Sequence, residues 1–149
     1  VRLVGSEMCI RDRSGIAGLG VAAELVSMEL GERANHLREL ETYFKSKIYD
    51  ICPQVIFHGN TNFYAPGICS LAIPNYKNEV ILAKLDRKGI EISNGSACSS
   101  GTVGLSPVLK EMGIEDEINK STIRVSFGRE NKIEDVSILV ESIGEILNE

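Results

Sequence analysis

The sequence predicts an α+β fold: one long helix, then helices interleaved with short strands that form a small, mostly antiparallel sheet. Three observations predict it. Apolar residues recur every three or four positions from Ile16 to Ile51, the period of a helix that buries one side. Two later runs, Gly67 to Ile73 and Thr122 to Phe127, alternate with period two, as half-buried strands do. At 149 residues the chain is the size of one domain, long enough to bury about two-thirds of its unfolded surface.

Val1 to Arg13, VRLVGSEMCIRDR, has no clear period. It reads as a tail outside the fold, of the kind an assembly artefact upstream of a genuine gene end leaves, and Cys9, Arg11 and Arg13 receive no role. The domain is expected over 14–149. In the long helix the recurring residues are Leu19, Ala22, Val26, Leu30, Ala34, Leu37, Leu40, Phe44, Ile48 and Ile51, with a bend possible at Gly31. His36 is expected on its solvated side. Cys52-Pro53 ends it, because proline disfavours helix in the residue before it.

Val55 to Phe57 is a short strand, and His58 to Pro66 is a polar turn region in which His58 is a loop or strand-end residue. In the next strand Cys69, Leu71 and Ile73 share a face, so Cys69 is expected in the core, and Cys52 is expected to be structural as well. Lys77 to Lys88 is a helix with Val80, Ile81 and Leu85 inward, stopped by Gly89. A strand from Ile90 to Ser93 follows. Ser106 caps the next helix, Pro107 takes its first position and Gly113 closes it. After a short acidic turn, the strand Thr122 to Phe127 points Ile123, Val125 and Phe127 one way and Arg124 and Ser126 the other. Asn131 caps the last helix, whose buried stripe is Ile133, Val136, Leu139, Val140, Ile143, Ile146 and Leu147.

Composition narrows the function. Charged residues are 25% and apolar ones 43%, ordinary for a globular protein. A net charge of −5 argues against a nucleic-acid partner. No apolar run approaches a membrane span, and no secretory signal is evident. Four scattered cysteines impose no disulfide framework, so the cytoplasm is the expected compartment.

The stretch Ser93-Asn94-Gly95-Ser96-Ala97-Cys98-Ser99-Ser100-Gly101-Thr102-Val103-Gly104 stands apart. Long Gly/Ser loops in compact domains are uncommon and often functional. A phosphate cradle fails because no lysine follows the glycines. A serine nucleophile elbow fails because Ala97, not glycine, stands two positions before Ser99. Zinc fails because Cys9, Cys52, Cys69 and Cys98 are far apart with no C-x-x-C. Two readings remain: a surface connection with an incidental cysteine, and a mobile thiol nucleophile. Arg124 is similarly open between a surface ion pair and an anion clamp.

The runs ISNGSACSSG, SPVLKEMG and STIRVSFGRENKIEDV resemble the C-terminal part of cysteine desulfurases of the NifS/IscS type, pyridoxal phosphate (PLP) enzymes of the aminotransferase class V group. The likeness extends from about Ser14 to the end. It departs at Gly104-Leu105-Ser106-Pro107, where relatives often carry Glu-Pro-Ser.

This resemblance implies the small C-terminal domain of a fold-type-I PLP transferase and the helix that connects it to a large domain. It implies that Cys98 is catalytic: it takes the sulfur of L-cysteine as a persulfide, and alanine leaves. Arg124 would bind the substrate carboxylate; Arg129, at the strand's end, reads as a structural or surface residue. It implies PLP in the full-length enzyme, with the cofactor-bearing lysine and the other cofactor contacts upstream; Lys77, Lys84, Lys88 and Lys110 do not match that lysine. A sulfur-acceptor protein such as an iron-sulfur scaffold, and a homodimer of the full-length enzyme, are the implied partners. This piece is then expected to be inactive alone. The alternatives are a selenocysteine lyase, another class V aminotransferase, or a non-enzymatic persulfide carrier.

Overall fold

The computed structural model describes residues 12–60, 62–94 and 105–148. The chain divides into two compact units, Val1–Asn35 and His36–Glu149. Helix α1, Asp12–Ile51, forms as a single helical element with no interruption at Gly31. In the first unit its periodic apolar residues are not buried: Leu19 is 71% exposed, and Ile16, Val26, Met28 and Leu30 are exposed too. Glu29 and Arg33, one turn apart, form an ion pair, with the Arg33 Nε–H donating at 2.7 Å.

The second unit is the α+β domain. Strands β1 (Ile56–His58), β2 (Ile68–Ala72) and β3 (Thr122–Ser126) form a three-stranded sheet in the order β1-β2-β3. Both pairings are antiparallel. Cys69 faces Val125 and Leu71 faces Ile123. Residues directly opposite in an antiparallel pair share a sheet face, so these four make one apolar face. Against it lie Leu40, Phe44 and Ile48 of α1, Ile81 and Leu85 of α2 (Asn78–Asp86), and Val136, Leu139, Val140, Ile143 and Ile146 of α5 (Ile133–Leu147). Each such side chain contributes about 1.5–3 kcal/mol by leaving water. Phe44 and Phe127 meet edge to face at 5.6 Å, a geometry aromatic quadrupoles favour.

Two glycines are required where they stand. Gly67 opens β2 at φ +82°, and a Cβ there would sit 3.0 Å from the Leu37 side chain. Its N–H donates to the buried Glu41 carboxylate at 3.0 Å, which fixes the start of the strand against α1. Gly89, at φ +74°, ends α2. The Ile90 N–H then donates back to the Leu85 carbonyl at 3.0 Å, the six-residue closure that turns a chain out of a helix.

Several expectations need correction. Val80 is 45% exposed; Ile81 and Leu85, one turn apart, define the inward line of α2, and Val80 lies about 100° round from Ile81. Ile90 to Ser93 makes no strand, only one bridge from Ser93 to Arg124, because the Ile90 N–H is already used in closing α2. The acidic turn is a short helix, α4 (Asp116–Lys120), after α3 (Pro107–Glu111). Helix α5 has Lys132, not Asn131, at its cap, since the Asp135 carboxylate accepts the Lys132 N–H at 2.9 Å. Asn131 instead accepts the Gly128 N–H at 2.7 Å and holds the preceding turn. Ile133, at the first turn, is exposed.

Candidate functional site

Arg124 lies at the middle of β3, half-buried, between the sealed Ile123 and Val125. Its backbone exchanges two hydrogen bonds with Ser93: the Arg124 N–H donates to the Ser93 carbonyl at 2.6 Å, and the Ser93 N–H donates to the Arg124 carbonyl at 3.1 Å. Ser93 is the residue from which the Gly/Ser segment departs. The root of that segment is therefore stapled directly to the strand position that carries the arginine. Cys98 itself lies outside the described residues, as does Cys9.

Pairing with Ser93 uses both backbone groups of Arg124. It therefore faces Ser70 on its other side as a non-hydrogen-bonded pair, the arrangement that brings facing side chains closer. Ser70 in turn faces His58. His58, Ser70, Arg124 and Ser93 thus form one polar row across the sheet, on the face opposite Leu71 and Ile123. Among the described residues the Arg124 guanidinium has no ion pair. The planar fork of a guanidinium suits a carboxylate.

His58 ends β1 as expected, but it has a partner that the sequence did not indicate. The Thr122 hydroxyl donates to the Ile118 carbonyl at 2.8 Å, so its single proton is committed. The His58 Nε2 at 3.1 Å must then donate to the Thr122 oxygen, which puts the imidazole proton on Nε2. Burial pushes the His58 pKa below its ordinary value. His36 is not simply solvated: it is half-buried, and its Nε2 lies 3.0 Å from the Asn131 carbonyl, to which it donates.

The segment returns at Ser106. Its hydroxyl accepts the Leu109 N–H at 3.5 Å and caps α3, with Pro107 at the first position as expected. The Ser106 backbone is held by a residue that sequence reasoning missed. Asn119, 3% exposed, accepts the Ser106 N–H on Oδ1 at 2.9 Å and donates from Nδ2 to the Ser106 carbonyl at 3.0 Å. Nothing in an acidic run marks such a residue beforehand, since its meaning comes from a partner thirteen positions away.

The other two cysteines are settled by their surroundings. Cys52 and Cys69 are free and buried, as expected. Burial pushes the Cys69 thiol up to about 12, with the Glu41 charge adding to it. Burial raises the Cys52 thiol as well. Neither can serve as a ready nucleophile. Every lysine among the described residues is exposed or half-buried within this chain. Among the described residues no helix is long and apolar enough to cross a membrane, and no cluster is suited to a metal ion.

Comparison with known proteins matches residues 12–139 to the aminotransferase class-V family. The chain is 30% identical over 134 residues to a cysteine desulfurase IscS of Dictyoglomus turgidum, covering 90% of this chain and 34% of that protein. It is 34% identical over 141 residues to cysteine desulfurase IscS 1 of Archaeoglobus fulgidus, covering 92% and 37%. Among solved structures, a NifS-like protein from Rickettsia africae superposes with a TM-score of 0.77 at 28% identity, over 90% of this chain and 34% of that one. The chain thus spans about a third of the length of the relatives it matches.

Proposed function

The chain belongs to the aminotransferase class-V family, and on that premise we propose that it is the sulfur-accepting small domain of a cysteine desulfurase. Cys98 acts as the nucleophile. Its thiolate attacks the sulfur of L-cysteine; the carbon–sulfur bond breaks, a sulfur–sulfur bond forms, and the carbon takes a proton as alanine leaves. Cysteine and thiol become alanine and persulfide, with no external oxidant. The persulfide sulfur then passes to an acceptor protein such as an iron-sulfur scaffold. Arg124 holds the substrate carboxylate through two parallel hydrogen bonds.

The observation that carries this reading is the double hydrogen bond between Ser93 and Arg124. Cys98 is five positions after Ser93 in the sequence, so chain length alone limits its backbone to roughly 18 Å from a point fixed beside the clamp. A nucleophile on that tether reaches a substrate held by Arg124, while a cysteine elsewhere in the described chain is sealed and protonated.

PLP, which would supply the electron sink for the reaction, is assigned to the part of the protein outside this chain. The described lysines do not fit it, and no step here is routed through it. The full-length enzyme would work as a homodimer, and this chain alone would be inactive. The test is to incubate the full-length polypeptide with PLP and L-cysteine and measure alanine and sulfide. Alanine formation that disappears in Cys98→Ser supports the proposal. Cysteine turnover unaffected by Cys98→Ser refutes it. Preferential turnover of selenocysteine, or of an amino-acid/keto-acid pair, would assign the site to another class V activity.

A further inference from the structure

We propose that Asn119 is a positioning residue for this reaction: its amide ties the returning end of the 94–105 segment to the stretch of chain that carries Arg124. The inference rests on the function proposed above. Three observations bear on it. The two hydrogen bonds between the Asn119 amide and the Ser106 peptide run in opposite directions, at 2.9 and 3.0 Å, and so fix orientation as well as distance. The amide is buried, where a lost hydrogen bond is not replaced by water. Asn94 and Leu105, the first and last residues of that segment, line one groove of about 740 Å³ together with Asn119.

The departing end is fixed at Ser93 to Arg124, and the returning end at Ser106 to Asn119. Asn119 and Arg124 are five residues apart, so both anchors fall within about 18 Å of chain. That stretch is itself braced, since Ser121 Oγ and Thr122 Oγ1 both donate to the Ile118 carbonyl, at 2.9 and 2.8 Å. A nucleophile carried between two ends fixed to one braced piece would search fewer positions and meet a substrate at the clamp more often. Loss of the Asn119 anchor should leave substrate binding intact and make productive encounters rarer.

The test uses Asn119→Ala and Asn119→Asp in the full-length protein. In Asn119→Ala, kcat for alanine formation should fall about tenfold with KM for cysteine within about twofold of wild type, since positioning and binding are separable. Asn119→Asp keeps the acceptor for the Ser106 N–H and should recover part of the loss. Amide exchange at Ser106 should quicken about tenfold in Asn119→Ala, with exchange across β3 unchanged. An unchanged Ser106 exchange rate would overturn the anchor. Quickened exchange with unchanged kcat would overturn its role in the reaction, as would a kcat loss that merely follows the unfolded fraction. If wild type itself forms no alanine, the proposed function fails, and the Ser106 exchange rate alone still decides the anchor.

Discussion

On one face of β3, Ile123 and Val125 are 0% and 2% exposed; on the other, Arg124 between them is half-buried and in line with Ser70, His58 and Ser93. The first face is held by area removed from water against α1, α2 and α5, and it tolerates no unpaired charge. The second is held by directed hydrogen bonds: Ser93 to Arg124, Asn119 to Ser106, His58 to Thr122. Cys69 sits on the first face with its thiol pushed up to about 12, whereas Ser93, the last residue before the Gly/Ser segment, pairs with Arg124 on the second. One strand can therefore separate stability from chemistry, because successive side chains point to opposite sides.

If that separation is real, substitutions on the two faces should move different observables. The largest effect is expected from Cys98→Ser, which should lower alanine formation by the full-length protein about 1,000-fold or more while leaving the thermal midpoint unchanged, because serine is a poor nucleophile toward sulfur. Next, Ile123→Ala should cost about 2–5 kcal/mol of unfolding free energy through the cavity it leaves, read from denaturant curves, with KM for cysteine unchanged in the folded fraction. Arg124→Ala should do the reverse. It should raise KM for cysteine about 10- to 100-fold, the loss of a charge-assisted pair, and shift stability little. A KM change in Ile123→Ala, or a stability loss in Arg124→Ala as large as that in Ile123→Ala, would break the comparison.

A smaller effect should follow pH. His58 has a folded pKa below its unfolded value because burial disfavours the charged ring. The folded state then binds fewer protons, so the stability it contributes is present above the unfolded pKa of about 6.5 and is lost as pH falls toward the folded value. Denaturation midpoints measured between pH 7.5 and about 5 should fall more steeply in wild type than in His58→Gln. Equal slopes would contradict this. The smallest change should come from the first unit. Leu19 is exposed, so Leu19→Ala should alter unfolding of the α+β unit by less than about 0.5 kcal/mol in the chain as described.

Much of this was legible in advance where the signal was periodic. The alternation in Gly67 to Ile73 and Thr122 to Phe127 placed Cys69, Ile123 and Val125 inward and Arg124 on the other face, and Ser106-Pro107 announced a helix start. The errors fall where tertiary contacts decide. Leu19, Val26 and Leu30 share the period of Leu40, Phe44 and Ile48, yet only the latter three are buried: a period says which side of a helix is apolar, not what covers it. Val80 and Ile133 were misplaced by reading apolar character as burial. The cap of α5 fell to Lys132 because the Asp135 side chain, not the residue at the cap, supplied the acceptor.

Cys98 and Arg124 are proposed from residue type and family likeness. The row of His58, Ser70 and Arg124 was not legible in that way, because strand register joins residues 12 and 54 positions apart. Asn119 was invisible for the same reason, its partner being reached only after α3 and α4 fold against each other.

The claim that most needs testing is that the clamp and the tethered thiol act as one unit. Mass analysis of the full-length protein after brief exposure to limiting L-cysteine tests it. The account predicts one added sulfur atom on the Cys98 peptide of wild type, strongly reduced in Arg124→Ala and restored there by excess cysteine. Sulfur on Cys52 or Cys69 in place of Cys98, or equal labelling with and without Arg124, would contradict it.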